Sequence, residues 1–311
     1  MKIQDFLTKL EKEIESTRKE IVDVGQQSRL KEILKQYRKE DNVVSSLDIA
    51  ENMKTRPEEE KIMSGWSNLD GILKGFRLKQ LITISGITKH GKTSLCVDLT
   101  SKLKEQNPLW FPFEEGAEEL IQKFLDRNEN PPLFFTPQTI KTSTLEWIEE
   151  RIIESIVKYD TRVVFIDHID FIVSFGADNH SLRIAQAMRE LKGMAKKWNI
   201  VIFLICHLTK TKFDAEPTLE DLRGSSSIGQ ESDTVILVWR ETKRENGKVV
   251  ITSNVNVSVQ ANRRTGRTGN VKMIFNNGRF IEEEWKNEEP EKNEEVFENS
   301  VWSRKNLSNL E

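Results

Sequence analysis

Gln80-Leu-Ile-Thr-Ile-Ser-Gly-Ile-Thr-Lys-His-Gly-Lys-Thr-Ser-Leu-Cys-Val-Asp-Leu99 reads as a short apolar strand, a loop and a helix that opens near Lys92. Inside the loop lies Gly86-x-x-x-x-Gly91-Lys92-Thr93, the P-loop pattern. Glycines let the backbone wrap a polyphosphate, and successive N–H groups with the helix N-terminus supply partial positive charge. The whole stretch Gly86, Ile87, Thr88, Lys89, His90, Gly91, Lys92, Thr93 and Ser94 is the expected nucleotide cradle. Lys92 is placed to reach the β- and γ-phosphates, and the Thr93 hydroxyl to complete a Mg²⁺ shell. The cofactors expected are therefore a nucleotide and Mg²⁺.

A strand that feeds such a loop needs neighbours, and the flanking sequence supplies them. Apolar runs at Leu81–Ser85, Leu109–Phe113, Leu133–Thr136, Val163–Asp167, Ile200–Cys206 and Thr234–Val238 alternate with helical patterns such as Thr144–Tyr159 and Ser181–Trp198. Unbroken apolar strands separated by helices indicate an α/β fold with a mostly parallel sheet covered on both faces. After Trp239 the texture changes to alternating segments, Val249–Val259, Val271–Phe275 and Arg279–Ile281, expected as antiparallel additions to one edge. The core is thus expected over residues 62–282.

On either side the composition shifts. Residues 1–61 are expected to be a helical extension and linker, with apolar residues at Ile3, Phe6, Leu7, Leu10 and Ile14 and again at Leu30, Ile33, Leu34 and Tyr37. Ser45 or Ser46 can cap a further short helix. Residues 283–311 are rich in Glu, Asn and Lys and read as a disordered acidic tail. The chain of 311 residues carries a net charge of −3, so a nucleic-acid site has to be a local patch rather than a global basic field. Two cysteines in apolar surroundings, no leader peptide and no long apolar run place the expectation in the cytoplasm, with no membrane partner.

Several side chains fall where chemistry is expected. Asp167 ends an apolar strand downstream of the P-loop, where a carboxylate can hold Mg²⁺ beside Thr93. Glu114 follows the second strand and can polarise an attacking water, although Glu118 and Glu119 close by also fit an exposed acidic loop. His207 ends a later strand and can sense the γ-phosphate; three of the four histidines, His90, His168 and His207, sit in the P-loop or at strand ends. Lys210, Lys212, Arg223, Ser225 and Ser226 lie in loop sequence at the carboxyl end of the sheet and can grip a phosphate backbone. Arg263-Arg264-Thr265-Gly266-Arg267 reads either as a trans arginine finger or as a solvated turn.

Taken in order, these segments resemble the RecA-like motor of DnaB-class ring helicases, and in their motifs the C-terminal helicase half of bacteriophage primase–helicases. The resemblance rests on Ser64-Gly-Trp-Ser-Asn-Leu-Asp70, Gly86–Thr93, Phe113-Glu-Glu115, Ile166-Asp-His-Ile169, Leu191-Lys-Gly-Met-Ala-Lys196, Ile205-Cys-His-Leu208, Asp221–Gln230 and Asn262–Gly269. It implies an ATP-dependent replicative helicase that moves 5′→3′ on single-stranded DNA as a homo-oligomeric, hexameric ring, with a separate primase or loader as partner. It also implies roles: Glu114 as catalytic carboxylate, His207 as γ-phosphate sensor, Arg263 or Arg264 as trans finger, and Arg240 with Phe275 around the adenine. Three departures stand out. Ala261 or Asn262 occupies the place of a usual lysine, the Leu120–Pro132 segment is short, and the N-terminal part has no cysteine set for a zinc module. These leave two other classes open: a RecA- or KaiC-like ATPase that assembles and switches without unwinding, and a nucleotide-binding regulator or loader.

Overall fold

The β1 strand, Leu81–Gly86, occupies an interior position in an eight-stranded sheet because all six of its residues are buried on both faces. This is a computed structural model, and it describes residues 43–55, 60–173, 180–208, 216–222, 225–245 and 248–283. The remaining strands are β2 Leu109–Pro112, β3 Val163–Asp167, β4 Val201–His207, β5 Thr234–Glu245, β6 Lys248–Asn262, β7 Gly269–Asn276 and β8 Arg279–Glu282. The helices are α1 Ser46–Thr55, α2 Ser67–Leu73, α3 Lys92–Lys102, α4 Ala117–Leu125, α5 Leu145–Tyr159, α6 Ile169–Ile172, α7 His180–Lys197 and α8 Ser225–Glu231.

The sheet order is β2-β3-β4-β1-β5-β6-β7-β8. The first five of these are parallel and the last three antiparallel, the mixed α/β architecture expected of this sequence. Alternate residues of each parallel strand feed two cores. Ile82, Ile84, Phe165, Phe203 and Val238 pack with α2, α3 and α4; Leu81, Val164, Ile166, Leu204 and Leu237 pack with α5 and α7. On the first face the register places Trp110, Phe165 and Phe203 side by side, with ring centroids 4.7 and 4.9 Å apart, and Phe76 meets Phe203 edge-on at 4.9 Å. Phe165 is completely buried between its two neighbours. Phe165→Ala should therefore lower the unfolding free energy by about 3–5 kcal/mol, read from a urea melt of the purified chain.

Local signals set the helix starts. Thr144 caps α5 by accepting the Trp147 N–H at 3.3 Å. For α2 the cap arrives from the other end of the sequence, since Glu282 on β8 accepts the N–H groups of Asn68 and Leu69 at 2.9–3.0 Å. The chain separates between Glu59 and Glu60 into two units. In the first unit, α1 is exposed along its whole length, and Ser45 Oγ accepts from the Asp48 N–H at 3.1 Å as its cap. The amphipathic pattern of residues 1–42 and the acidic tail beyond 283 lie outside the described residues.

Two expectations are corrected. Leu133–Thr136 does not form a ladder strand; it makes one parallel bridge, Phe135 to Leu109, with the Trp110 N–H donating to the Phe135 carbonyl at 2.8 Å. Pro131, Pro132 and Pro137 flank that run, and residues without a backbone N–H cannot extend pairing in either direction. The late strands are also longer than their hydrophobic pattern, because β5 and β6 continue past the core as one hairpin from Arg240 to Val255 and beyond to Glu245 and Lys248.

Candidate active site

The P-loop leaves the carboxyl end of β1 and turns into α3 at Gly91, whose φ is 102°. Gly86 cannot be replaced without rebuilding the loop, since a Cβ there would lie 1.9 Å from the Val238 carbonyl oxygen on β5. Thr88 and Lys89 form the exposed crown, whereas His90 points inward and is buried. Its Nδ1 accepts the Arg240 N–H at 3.0 Å, which ties the loop to β5. Burial and the nearby Arg240 and Lys92 charges hold His90 below the usual imidazole range, so it stays the neutral acceptor that this bond requires. Ser94 contributes its carbonyl to Arg127 Nη2 at 3.4 Å.

Lys92 is buried, with Nζ donating to the Gly86 and Ile87 carbonyls at 3.1 and 3.3 Å. Burial pulls its ammonium below the usual range, and the neighbouring Asp167 and Glu114 carboxylates partly restore it. Thr93 Oγ1 donates to Asp167 Oδ2 at 2.9 Å, a contact that joins α3 to the end of β3. The other carboxylate oxygen, Asp167 Oδ1, is buried without a hydrogen-bond partner. A buried oxygen of this kind beside a threonine hydroxyl fits a hard divalent cation, so Thr93 and Asp167 are the residues that would hold Mg²⁺.

Burial first, then the Glu114 charge, raises the Asp167 carboxyl from 3.8 to about 6 against the opposing Thr93 bond. The folded chain thus binds this proton more tightly than the unfolded chain does. The resulting stability is complete below about pH 4 and is lost as pH rises through 6. At pH 7.5 the bare carboxylate costs about 2–3 kcal/mol, so Asp167→Asn should raise the urea midpoint of the metal-free protein at that pH. The gain should vanish near pH 4.

Glu114 reaches the same space from the next element. The β2–β3 register sets Pro112 beside Asp167, and the Glu114 N–H donates to the Asp167 carbonyl at 3.1 Å. Its Oε2 lies 3.7 Å from His168 Nε2 and 4.0 Å from His207 Nε2, with the carboxylate partly open to solvent. The two imidazoles meet edge-on with centroids 4.1 Å apart. His168, which follows Asp167 directly, is buried; its Nδ1 accepts the Asp170 N–H at 3.3 Å and lies 3.4 Å from Asp170 Oδ2. The role of the His168–Asp170 pair was not legible beforehand; the only signal was histidines recurring at strand ends.

Other expected residues are more scattered. Arg240 stacks directly on Phe275, the guanidinium carbon 4.8 Å from the ring centroid, and its Nε donates to the Thr252 carbonyl at 2.6 Å. A base would have to part the two or stack on one of them. Arg263 and Arg264 are exposed in the turn after β6, where Asn262 Oδ1 accepts the Arg264 and Thr265 N–H groups at 3.2 and 3.3 Å. Thr234 pairs with Asn262 and with Ile82, whereas Gly86 pairs with Val238. Both arginines therefore lie at the amino end of β1 and β5, about 13 Å of strand from the P-loop of their own chain.

Lys210, Lys212 and Arg223 lie outside the described residues, as do the side chains of Ser225 and Ser226, which begin α8. The base of that loop is described: Leu208, directly after His207, bridges antiparallel to Leu222. Among the described residues no helix is long and apolar enough to cross a membrane.

Comparison with known proteins agrees with this fold. Residues 127–281 match the DnaB-like helicase C terminal domain. The chain is 22% identical over 284 residues to a probable replicative DNA helicase of Trieres chinensis, covering 76% of this chain and 62% of that protein. It is 23% identical over 252 residues to the replicative DNA helicase DnaC of Bacillus subtilis, covering 69% and 54%. The chain thus spans between half and two thirds of the length of these relatives. Among solved structures, one described as an ATPase domain superposes with a TM-score of 0.63 at 19% identity, covering 76% of this chain and 97% of that one. A DnaB-like replicative helicase, described with its interactions with primase, gives the same TM-score and identity over 82% and 70%. The fold is the RecA-like fold of these neighbours, and residues 127–281 of this chain are similar to the DnaB-like helicase C-terminal domain family.

Proposed function

We propose that this chain is the motor of an ATP-driven replicative DNA helicase. It would work as a hexameric ring that moves 5′→3′ on single-stranded DNA, with a separate primase or loader as partner. The observation that carries the reading is the convergence of Lys92, Thr93, Asp167, Glu114 and His207 at the carboxyl ends of neighbouring strands. ATP is held by Gly86–Thr93, with Lys92 on its terminal phosphates. Mg²⁺, when bound at Thr93 and Asp167, neutralises charge on the phosphate oxygens. Glu114 takes the proton of the attacking water. His207 detects loss of the γ-phosphate, and the Leu208–Leu222 bridge passes the change to the loop carrying Lys210, Lys212 and Arg223, which grips DNA together with Ser225 and Ser226.

Arg263 or Arg264 completes the site of a neighbouring subunit, which is consistent with their distance from the P-loop of their own chain. A forked duplex with a free 5′ tail, incubated with ATP and followed by native mass measurement, tests the reading. Strand displacement by an assembled ring supports it. Hydrolysis and assembly without displacement would replace it with the RecA- or KaiC-like reading. The lack of the usual lysine two residues before the finger arginine, where this chain has Ala261 or Asn262, favours that alternative. Tight ATP binding with negligible turnover would instead point to a regulator or loader.

A further inference from the structure

Glu114, His168 and His207 offer three ligand atoms that all lie within 4.8 Å of one another. They converge for a topological reason: β2, β3 and β4 are consecutive in the sheet, and each strand delivers one of these residues at its carboxyl end. This is not the expected Mg²⁺ position at Thr93 and Asp167. Mg²⁺ selects oxygen donors, whereas two imidazoles with one carboxylate suit Zn²⁺ and its borderline relatives Co²⁺ and Ni²⁺.

We propose that Glu114, His168 and His207 form a second cation site, selective for Zn²⁺-like ions, whose occupation arrests hydrolysis. Bonds of about 2.0–2.1 Å to a tetrahedral ion place ligands roughly 3.3 Å apart. The observed 3.7 and 4.0 Å from Glu114 Oε2 to the two Nε2 atoms, and the separation of the histidine ligand atoms within 4.8 Å, have to close by up to about 1.5 Å, and Glu114 is the most exposed of the three. The Asp170 carboxylate lies 3.4 Å from His168 Nδ1, on the side of the ring away from Glu114. Binding an ion at Nε2 moves the imidazole proton to Nδ1, whose bond then changes from accepting the Asp170 N–H at 3.3 Å to donating to Asp170 Oδ2 at 3.4 Å, the usual carboxylate arrangement behind a metal-binding histidine. Solvent reaches Glu114, so water can take the fourth position.

The consequence for the ATPase rests on the proposed role of Glu114. A carboxylate bound to a cation no longer accepts a proton from water, and His207 bound to the same ion cannot follow the γ-phosphate. The ion therefore acts as a reversible off-switch that a chelator releases.

The test uses the full chain, stripped with chelator and free of nucleotide, titrated with Co²⁺ and followed by its visible d–d absorption. One equivalent per chain should give intense low-coordinate bands that Zn²⁺ displaces and excess Mg²⁺ does not. His168→Gln should abolish the bands while leaving the circular dichroism unchanged, and Asp170→Asn should weaken binding about 10–100-fold. Zn²⁺ should also inhibit ATP turnover in excess Mg²⁺, with recovery on chelation. Absence of the bands, or bands unchanged in a folded His168→Gln protein, overturns the site. Full hydrolysis by Glu114→Gln would instead overturn the assignment of Glu114 as base and leave the Co²⁺ result standing.

Discussion

Lys92→Ala is expected to lower DNA-stimulated ATP turnover at least about 100–1,000-fold, measured as phosphate release at saturating ATP. The size follows from where the ammonium sits. Lys92 Nζ is buried, lies within 3.3 Å of two P-loop carbonyls and is coupled to Asp167 and Glu114, so its charge acts in a poorly solvated space. A charge fixed there stabilises negative charge on transferring phosphoryl oxygens far better than one in water. The fold should survive, because α3 is held by Leu95, Cys96, Val97 and Leu99 in the core. An unchanged circular dichroism spectrum alongside lost turnover separates chemistry from unfolding. Turnover within a few-fold of wild type would remove the P-loop from the account.

The second large effect concerns Arg263 and Arg264. A finger arginine contributes about 10³-fold or more to phosphoryl transfer, and only one guanidinium can occupy that place. Arg263→Ala and Arg264→Ala are thus expected to differ sharply in kcat, one losing about three orders of magnitude and the other changing little. Neither should alter ATP affinity in an isolated chain, since both lie at the far end of β5 from the proposed nucleotide-binding loop. The backbone of the turn is set by Asn262 rather than by the arginine side chains, so both variants should assemble normally.

How much of this was legible in the sequence depended on whether a feature was local. The P-loop, the Asp167 strand end and the Thr144 cap are written in contiguous residues, and the parallel core follows from runs such as Val163–Asp167 and Val201–His207 that are buried on both faces. Leu133–Thr136 was misleading because an apolar run looks like a strand until its flanking prolines are considered as missing donors. The lengths of β5 and β6 were hidden for a different reason. In the outer part of that hairpin, residues 240–245 and 248–254, each strand is held by its partner rather than by a buried face, so no hydrophobic alternation marks its end.

The site shows the same division. Glu114 by itself could have been one acid among several in a loop, and only the β2–β3 register brings its N–H to the Asp167 carbonyl. His90 lies in the expected cradle but works from beneath it, as an acceptor for the Arg240 backbone. Asp170 gave no signal at all, because its relation to His168 depends on the path the chain takes after β3.

The central claim is that each ATP site is built from two neighbouring chains, the P-loop of one and a turn arginine of the next. A mixing experiment tests it most directly. Lys92→Ala protein and Arg263→Ala/Arg264→Ala protein, each inactive alone, are combined in equal amounts and assayed for DNA-stimulated phosphate release. In a ring of head-to-tail interfaces, random mixing gives about a quarter of sites with an intact loop facing an intact arginine, so turnover should reappear at up to that fraction of wild type. Turnover that stays at zero, with native mass measurement showing mixed assemblies, would contradict a site shared between neighbours.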